Sequence, residues 1–409
     1  MAHALDGIRI LDLTCGTAAL GVLLLAEQGA DVVKVEPPGG DPFRSYDGYK
    51  VWTRSRRSVT VDLKSDAGRA AFLALAATAD VVVDSFTNGV TARLGIDSAT
   101  LRATHPGLIT CSVPGYPEGH RSQFRPGHDA LVQAASGQQW EQPGWRPGPI
   151  FLPMPMPSSG MIWLVASGIL AALHERERTG RGQHVQTSLL QGAWLYTTQI
   201  WQTAERGDAA FYGMMGKTHP PGVHQPMIFE CADGYVHLSV MSGLTPTKTL
   251  DEILELGPVV AEDAVGLSPV EQHTMLSGRQ RDAIRTWRVD DLVRELVANN
   301  HAVEAIVEPE QQFAHPQLQA NDMVVTVTDP DLGDTTQLGV PIHLLGTPGA
   351  VRSGQPRVGE HDAEIWGGLG FSADEIAAFT TASDAPSVRA VRSRSDDAVA
   401  VRALAEPGE

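Results

Sequence analysis

Two kinds of hydrophobic pattern alternate along the first third of the chain. Ile8-Arg9-Ile10-Leu11-Asp12-Leu13 and Asp31-Val32-Val33-Lys34-Val35-Glu36 are apolar runs of strand length. Between them, Ala18 to Gln28 is an apolar helical stretch stopped by Gly29. Strand, helix, strand in this order predicts a βαβ unit, hence a parallel sheet with right-handed crossovers. The pattern recurs. Strands over Ser58–Leu63 and Asp80–Asp84 flank a helix over Asp66–Ala79, and a strand over Leu108–Val113 follows a short helix near Ser98–His105. Helices are then expected over Ser158–Glu177 and from Leu189 to about Arg206.

Between Gly137 and Pro157 this order gives way to Pro, Gly, Trp and Met, an irregular connection whose Trp140, Trp145 and Phe151 need burial. A second such stretch, Gly213 to Pro226, reads as a hinge into a smaller domain. That domain holds expected strands over Met227–Phe229 and Tyr235–Val240 and helices over Leu250–Leu256 and Asp290–Asn299. From Met323 the chain is strand-like again (MVVTVTD, PIHLL), and it ends in a helix over Ala373–Thr380. The pattern therefore predicts an α/β protein of two domains. Residues 1–210 with 325–380 form the larger, 227–320 the smaller, and 383–409 a disordered polar tail.

Charge narrows the function. Against 48 Asp and Glu stand 31 Lys and Arg, a net charge of −17, so the chain cannot bind nucleic acid through bulk charge and any phosphate contact must come from a few local arginines. Three scattered cysteines, Cys15, Cys111 and Cys231, fit neither a disulfide framework nor a zinc site. The start MAHALDGIRI is not a signal peptide, and the longest apolar run, Met161–Leu173, is too short to span a bilayer. The expectation is a soluble, cytoplasmic protein with no membrane partner.

The first candidate site is the turn Thr14-Cys15-Gly16-Thr17-Ala18 after the first strand. It lacks the glycine spacing of a dinucleotide fingerprint and the Gly-Lys-Ser/Thr of a P-loop. It is either a plain strand–helix turn or a helix N-terminus that receives an anionic group. The cluster Arg54-Ser55-Arg56-Arg57, with Arg93 further on, is either a solvated face or a set of ligands for a molecule carrying several phosphates. His219 and His224 read as hinge residues, since no third ligand is spaced to make a metal site with them.

Taken in order, many segments resemble one family. They are LDGIRILDLT, GADVVKVEPPGGD, RRSVTVDLKSDAGR, ADVVVDSFTNGVTARLGID, GYPEGH, RPGHDALVQAASG, SGILAALHERERTGRGQHVQTSLL, ADGYVHLSV, HPQL and VGEH. The chain from Leu5 to Phe379 resembles the family III CoA-transferases, the CaiB/BaiF group that also contains 2-methylacyl-CoA racemases. The resemblance implies a Rossmann-like large domain, a smaller α/β domain, and an interlocked homodimer or heterodimer. It implies CoA thioesters and a carboxylate as substrates, with no metal. Carried over residue by residue, its CoA site falls on Gly16, Thr17, Ala18, Val61, Ser85, Phe86 and Arg93.

The resemblance also places a catalytic Asp, the carboxylate that attacks the thioester, at Ser158, and no Asp or Glu stands anywhere from Gln142 to Leu173. Ser158 is either the N-cap of the following helix or a nucleophile that needs a base. His128 stands where the racemases carry a catalytic base; imidazole suits proton transfer near neutral pH, yet it could equally bond the ligand or a backbone group. Three functions remain open: a CoA-transferase or the Asp-lacking subunit of a heteromeric one, a racemase-like α-proton enzyme using His128, and a non-catalytic CoA-ester binding protein.

Overall fold

The computed structural model describes residues 2–141, 149–197, 227–239, 244–258, 265–267 and 269–381. Trp145, the helix beyond residue 197, the hinge with His219 and His224, and the tail over 383–409 lie outside them. The described residues divide into two compact units, one within Met1–Trp140, Phe151–Trp201 and Asn321–Glu409, the other within Glu141–Ile150 and Gln202–Ala320.

The larger unit is built on a six-stranded parallel sheet of β1 (Arg9–Leu13), β2 (Asp31–Glu36), β3 (Arg57–Thr60), β4 (Val81–Asp84), β5 (Ile109–Ser112) and β6 (His184–Gln186), in the order β3-β2-β1-β4-β5-β6. All its pairings are parallel. This is the doubly wound arrangement, with strand order reversing between β1 and β4. Strands covered on both faces read as nearly continuous apolar runs. Ile10, Val32, Val83 and Ile109 therefore face one core, while Leu11, Val33, Val59 and Val82 face the other.

The first core is closed by α1 (Ala19–Glu27) and, beyond α2 (Asp66–Ala76) and α3 (Asp129–Ser136), by α4 (Met156–Thr179) and α5 (Leu189–Leu195). In α4, Met161, Val165 and Ile169 are buried at helical spacing, each contributing about 1.5–3 kcal/mol. By length and composition α4 could cross a membrane, but half of its most apolar stretch is buried inside the protein. The second core is closed by α2, through Ala71, Phe72 and Leu75.

The smaller unit has an antiparallel sheet of β7 (Ile228–Cys231), β8 (Gly234–Ser239) and β9 (Ala302–Ile306), covered by α6 (Val289–Ala298). Leu292 and Leu296, four apart on α6, are fully buried with Phe229 and Val236 in its own core.

The chain then returns to the larger unit. The hairpin β10 (Val324–Asp329) and β11 (Gly333–Leu338) is tied to it by Lys50–Asp329 at 3.0 Å and by Arg54 donating to Gln337 at 3.0 Å. Helices α7 (Asp362–Gly368) and α8 (Ala373–Thr380) cap the second core with Trp366 and Phe379. The expected strand at PIHLL does not form: Pro341 has no amide hydrogen to pair, and Leu345 is 97% exposed.

The arginine cluster is also not what its charge suggested. Arg54, 2% exposed, donates to Glu27 at 2.8 Å, and Arg56 is buried against Asp12. Arg57 is held between Asp31 and Glu364, each at 2.7 Å. These side chains join β3 to α1, β1, β2 and α7. Each is ion-paired with a carboxylate inside the fold, which is a structural role and not that of a phosphate ligand.

Candidate active site

In a doubly wound sheet the crevice forms where strand order reverses, beyond the carboxyl ends of the strands. Here those ends are the turn after β1 and the residues after β4. They meet directly, since the Cys15 amide donates to Ser85 Oγ at 2.8 Å. Gly16 turns the chain with φ +65, a conformation that favours glycine, and the Phe43 ring lies 3.2 Å from where a Cβ would sit. A cavity of about 300 Å³ opens at this place. Gly16, Thr17, Ala18, Ser85, His128 and Asp129 line it, with Val113, Met161 and Leu189 as an apolar wall.

Asp129 reaches the cavity because two glycines allow its loop to approach. A Cβ on Gly127 would sit 2.3 Å from the backbone of Gly115, in the turn after β5. Asp129 is the first residue of α3, and its carboxylate spans to the start of α4. Its Oδ1 accepts from the Ser158 amide at 2.9 Å, and its Oδ2 from the Ser158 hydroxyl at 2.7 Å. Ser158 Oγ also lies 2.7 Å from Thr17 Oγ1. With the Ser158 hydrogen given to Asp129, Thr17 must be the donor of that last bond. The N-terminal ends of α3 and α4, both favourable to negative charge, thus meet around one carboxylate.

Several expected site residues come together here: Gly16, Thr17, Ala18, Ser85 and His128 line the cavity, and Ser158 bonds to two of its walls. His128 is exposed and makes no side-chain hydrogen bond to a described residue. Three others lie apart from the lining. Val61 is buried in the second core, Phe86 packs against that core, and Arg93 is exposed with no ion pair to a described residue. Ser158 is not the N-cap. The helix starts two residues earlier, at Met156, its N-cap Pro155 offers no side-chain bond, and it is Asp129 that satisfies the Ser158 amide.

Asp129 is the residue the sequence reading passed over. The available signal was its place directly after His128 at a helix start, a position where a carboxylate meets free amides. Cys15 also lines the cavity, but desolvation and the Asp41 carboxylate 3.3 Å away push its thiol up to about 12, so it carries no thiolate at neutral pH. Below the cavity, Asp84 at the end of β4 is pushed up to about 6 by burial, against the bonds from Ser112 and the Phe86 amide that favour its ionised form. Among the described residues no group of His, Cys, Asp and Glu is placed to hold a metal ion.

The fold and cavity are those of an α/β protein with a ligand crevice at its strand-order switch. The sequence profile of CoA-transferase family III matches residues 5–362, and the chain belongs to that family. It is 33% identical to a succinyl-CoA:mesaconate CoA-transferase of Haloarcula hispanica over 88% of this chain and 95% of that one. It is 30% identical to a formyl-CoA:oxalate CoA-transferase of Streptomyces avermitilis over 92% of this chain and 98% of that one. Among solved structures, a CAIB/BAIF family protein from Brucella suis superposes with a TM-score of 0.77 at 26% identity, covering 90% of this chain and all of that one.

Proposed function

We propose that this chain transfers CoA between an acyl-CoA and a free carboxylate, with the thioester carbonyl in the cavity beside Asp129, Ser158 and His128. The observation that carries this reading is a hydrogen-bonded carboxylate at two helix N-termini, on the wall of a cavity at the strand-order switch. Gly16, Thr17, Ala18, Val61, Ser85, Phe86 and Arg93 are the proposed CoA contacts. The proposed assembly is an interlocked homodimer with residues 1–210 and 325–380 as the CoA-binding domain and 227–320 as the smaller one.

The test is to incubate the purified chain with succinyl-CoA and separate samples of mesaconate, oxalate and glutarate, then resolve the CoA esters. A new thioester supports transfer. A second reading, the Asp-lacking half of a heteromer, is favoured by the serine at position 158. It requires that new thioester appear only after a sister chain bearing that Asp is added. The racemase-like alternative is favoured by the exposed imidazole of His128 on the cavity wall, which has no side-chain hydrogen bond to a described residue. It requires exchange of the substrate α-hydrogen with deuterated water.

A further inference from the structure

Resting on the transferase reading, we propose that Asp129 is the nucleophile of this chain: the attacking carboxylate is carried by α3, and Ser158 and Thr17 position it. Accessibility separates the two candidate nucleophiles. Asp129 is half-buried and lines the cavity, whereas Ser158 is 2% exposed and lies behind that wall. Bonding separates them as well. Ser158 gives its only hydroxyl hydrogen to Asp129 and takes one from Thr17, so an attack by Ser158 Oγ would have to break both bonds. Asp129 needs no base, because a carboxylate oxygen can attack without first giving up a proton as a hydroxyl must. The amide and hydroxyl of Ser158 hold both its oxygens in place while leaving each a further lone pair.

The serine at 158 then has a reason. An Asp at that position would put a second carboxylate within hydrogen-bond reach of Asp129, and two such groups cannot both ionise freely. Serine leaves a single anion and supplies it with two donors.

The chemistry balances without any further reactant. An Asp129 oxygen forms a bond to the thioester carbonyl carbon, the C–S bond breaks, and CoA leaves as thiolate, giving a mixed anhydride. Attack of the thiolate on the Asp129 carbonyl releases the donor acid as its carboxylate and leaves an aspartyl-CoA thioester. The acceptor carboxylate attacks that thioester, and the expelled thiolate then takes the acceptor acyl group, which regenerates Asp129.

The experiment uses the full chain with succinyl-CoA, first for exchange of labelled succinate into the thioester, then with hydroxylamine and peptide mapping. The expected result is a hydroxamate on Asp129, with exchange reduced about 1,000-fold or more in Asp129→Asn. Ser158→Ala should lower kcat about 10- to 100-fold with KM within about two-fold, and Ser158→Thr should recover most of it, as a positioning role requires. Adduct on Ser158 or any other residue overturns the proposal. So does exchange in Asp129→Asn within about ten-fold of the unaltered chain, or exchange in that chain with no adduct at all. Absence of exchange in the unaltered chain removes the transferase reading itself, and this proposal with it.

Discussion

Two charged clusters flank the first strands, and they behave in opposite ways. Beneath β1–β3, Arg54, Arg56 and Arg57 are matched one for one by Glu27, Asp12 and Asp31. At the crevice, among the described residues, Asp129 is met by hydroxyl and amide donors only, with one side open to a cavity. In the first cluster every charge is neutralised by an opposite charge, which fixes elements together and leaves nothing to react. In the second the anion is oriented without being neutralised, which is the condition a nucleophile needs. The sequence advertised the first cluster, as three arginines in four residues, and concealed the second.

The sharpest contrast is expected between substitutions of the two. Asp129→Asn removes the anion but keeps the shape, so exchange should fall by about 4 kcal/mol of transition-state stabilisation or more while the midpoint in urea moves little. Arg56→Ala should do the reverse. It leaves Asp12 buried and unpaired, at a cost of about 3–5 kcal/mol in stability, read from the same urea titration. If Arg56→Ala instead left stability intact and weakened CoA binding, the structural reading of the arginine cluster would fall.

Asp84 gives a pH-dependent test between the two clusters. Its carboxyl is raised in the folded state, so its cost is absent below about pH 4, grows as pH rises, and is complete above about pH 6. Asp84→Asn should therefore be neutral near pH 4 and stabilising by on the order of 2–3 kcal/mol at pH 7–8. A stability difference that does not change with pH would show that Asp84 is not held with a raised affinity for its proton. The smallest effect is expected at Arg93, exposed on the last turn of the helix Val90–Leu94. Losing one phosphate contact in Arg93→Ala should weaken CoA about ten-fold by calorimetry, roughly 1.4 kcal/mol. An unchanged dissociation constant takes Arg93 out of the site.

The sheet was legible because its information is local. Apolar runs such as Val81-Val82-Val83 and stops such as Gly29 mark each βαβ unit, and the structure reproduces the five strands expected in the first third of the chain within three residues at each end. The turn at Gly16–Ala18 and the residue Ser85 could be placed for the same reason, since both follow strand ends. What could not be read are relations across distance. Asp129 and Ser158 are 29 residues apart, and only the packing of α3 on α4 brings them together. The partners of Arg54 and Arg57 are likewise distant in sequence, at Glu27 and Glu364. Where a segment is apolar but lacks a hydrogen-bond donor, as at Pro341, pattern alone overstates the strand.

The most direct test of the account follows an oxygen atom. Succinate labelled with ¹⁸O in its carboxylates is mixed with unlabelled succinyl-CoA and the unaltered chain, and the peptide containing Asp129 is weighed after digestion. If Asp129 carries the acyl group, one oxygen of the acceptor remains on its carboxylate when the anhydride is cleaved, so the peptide gains ¹⁸O with turnover. A chain that exchanges CoA while this peptide keeps its original mass would contradict the account.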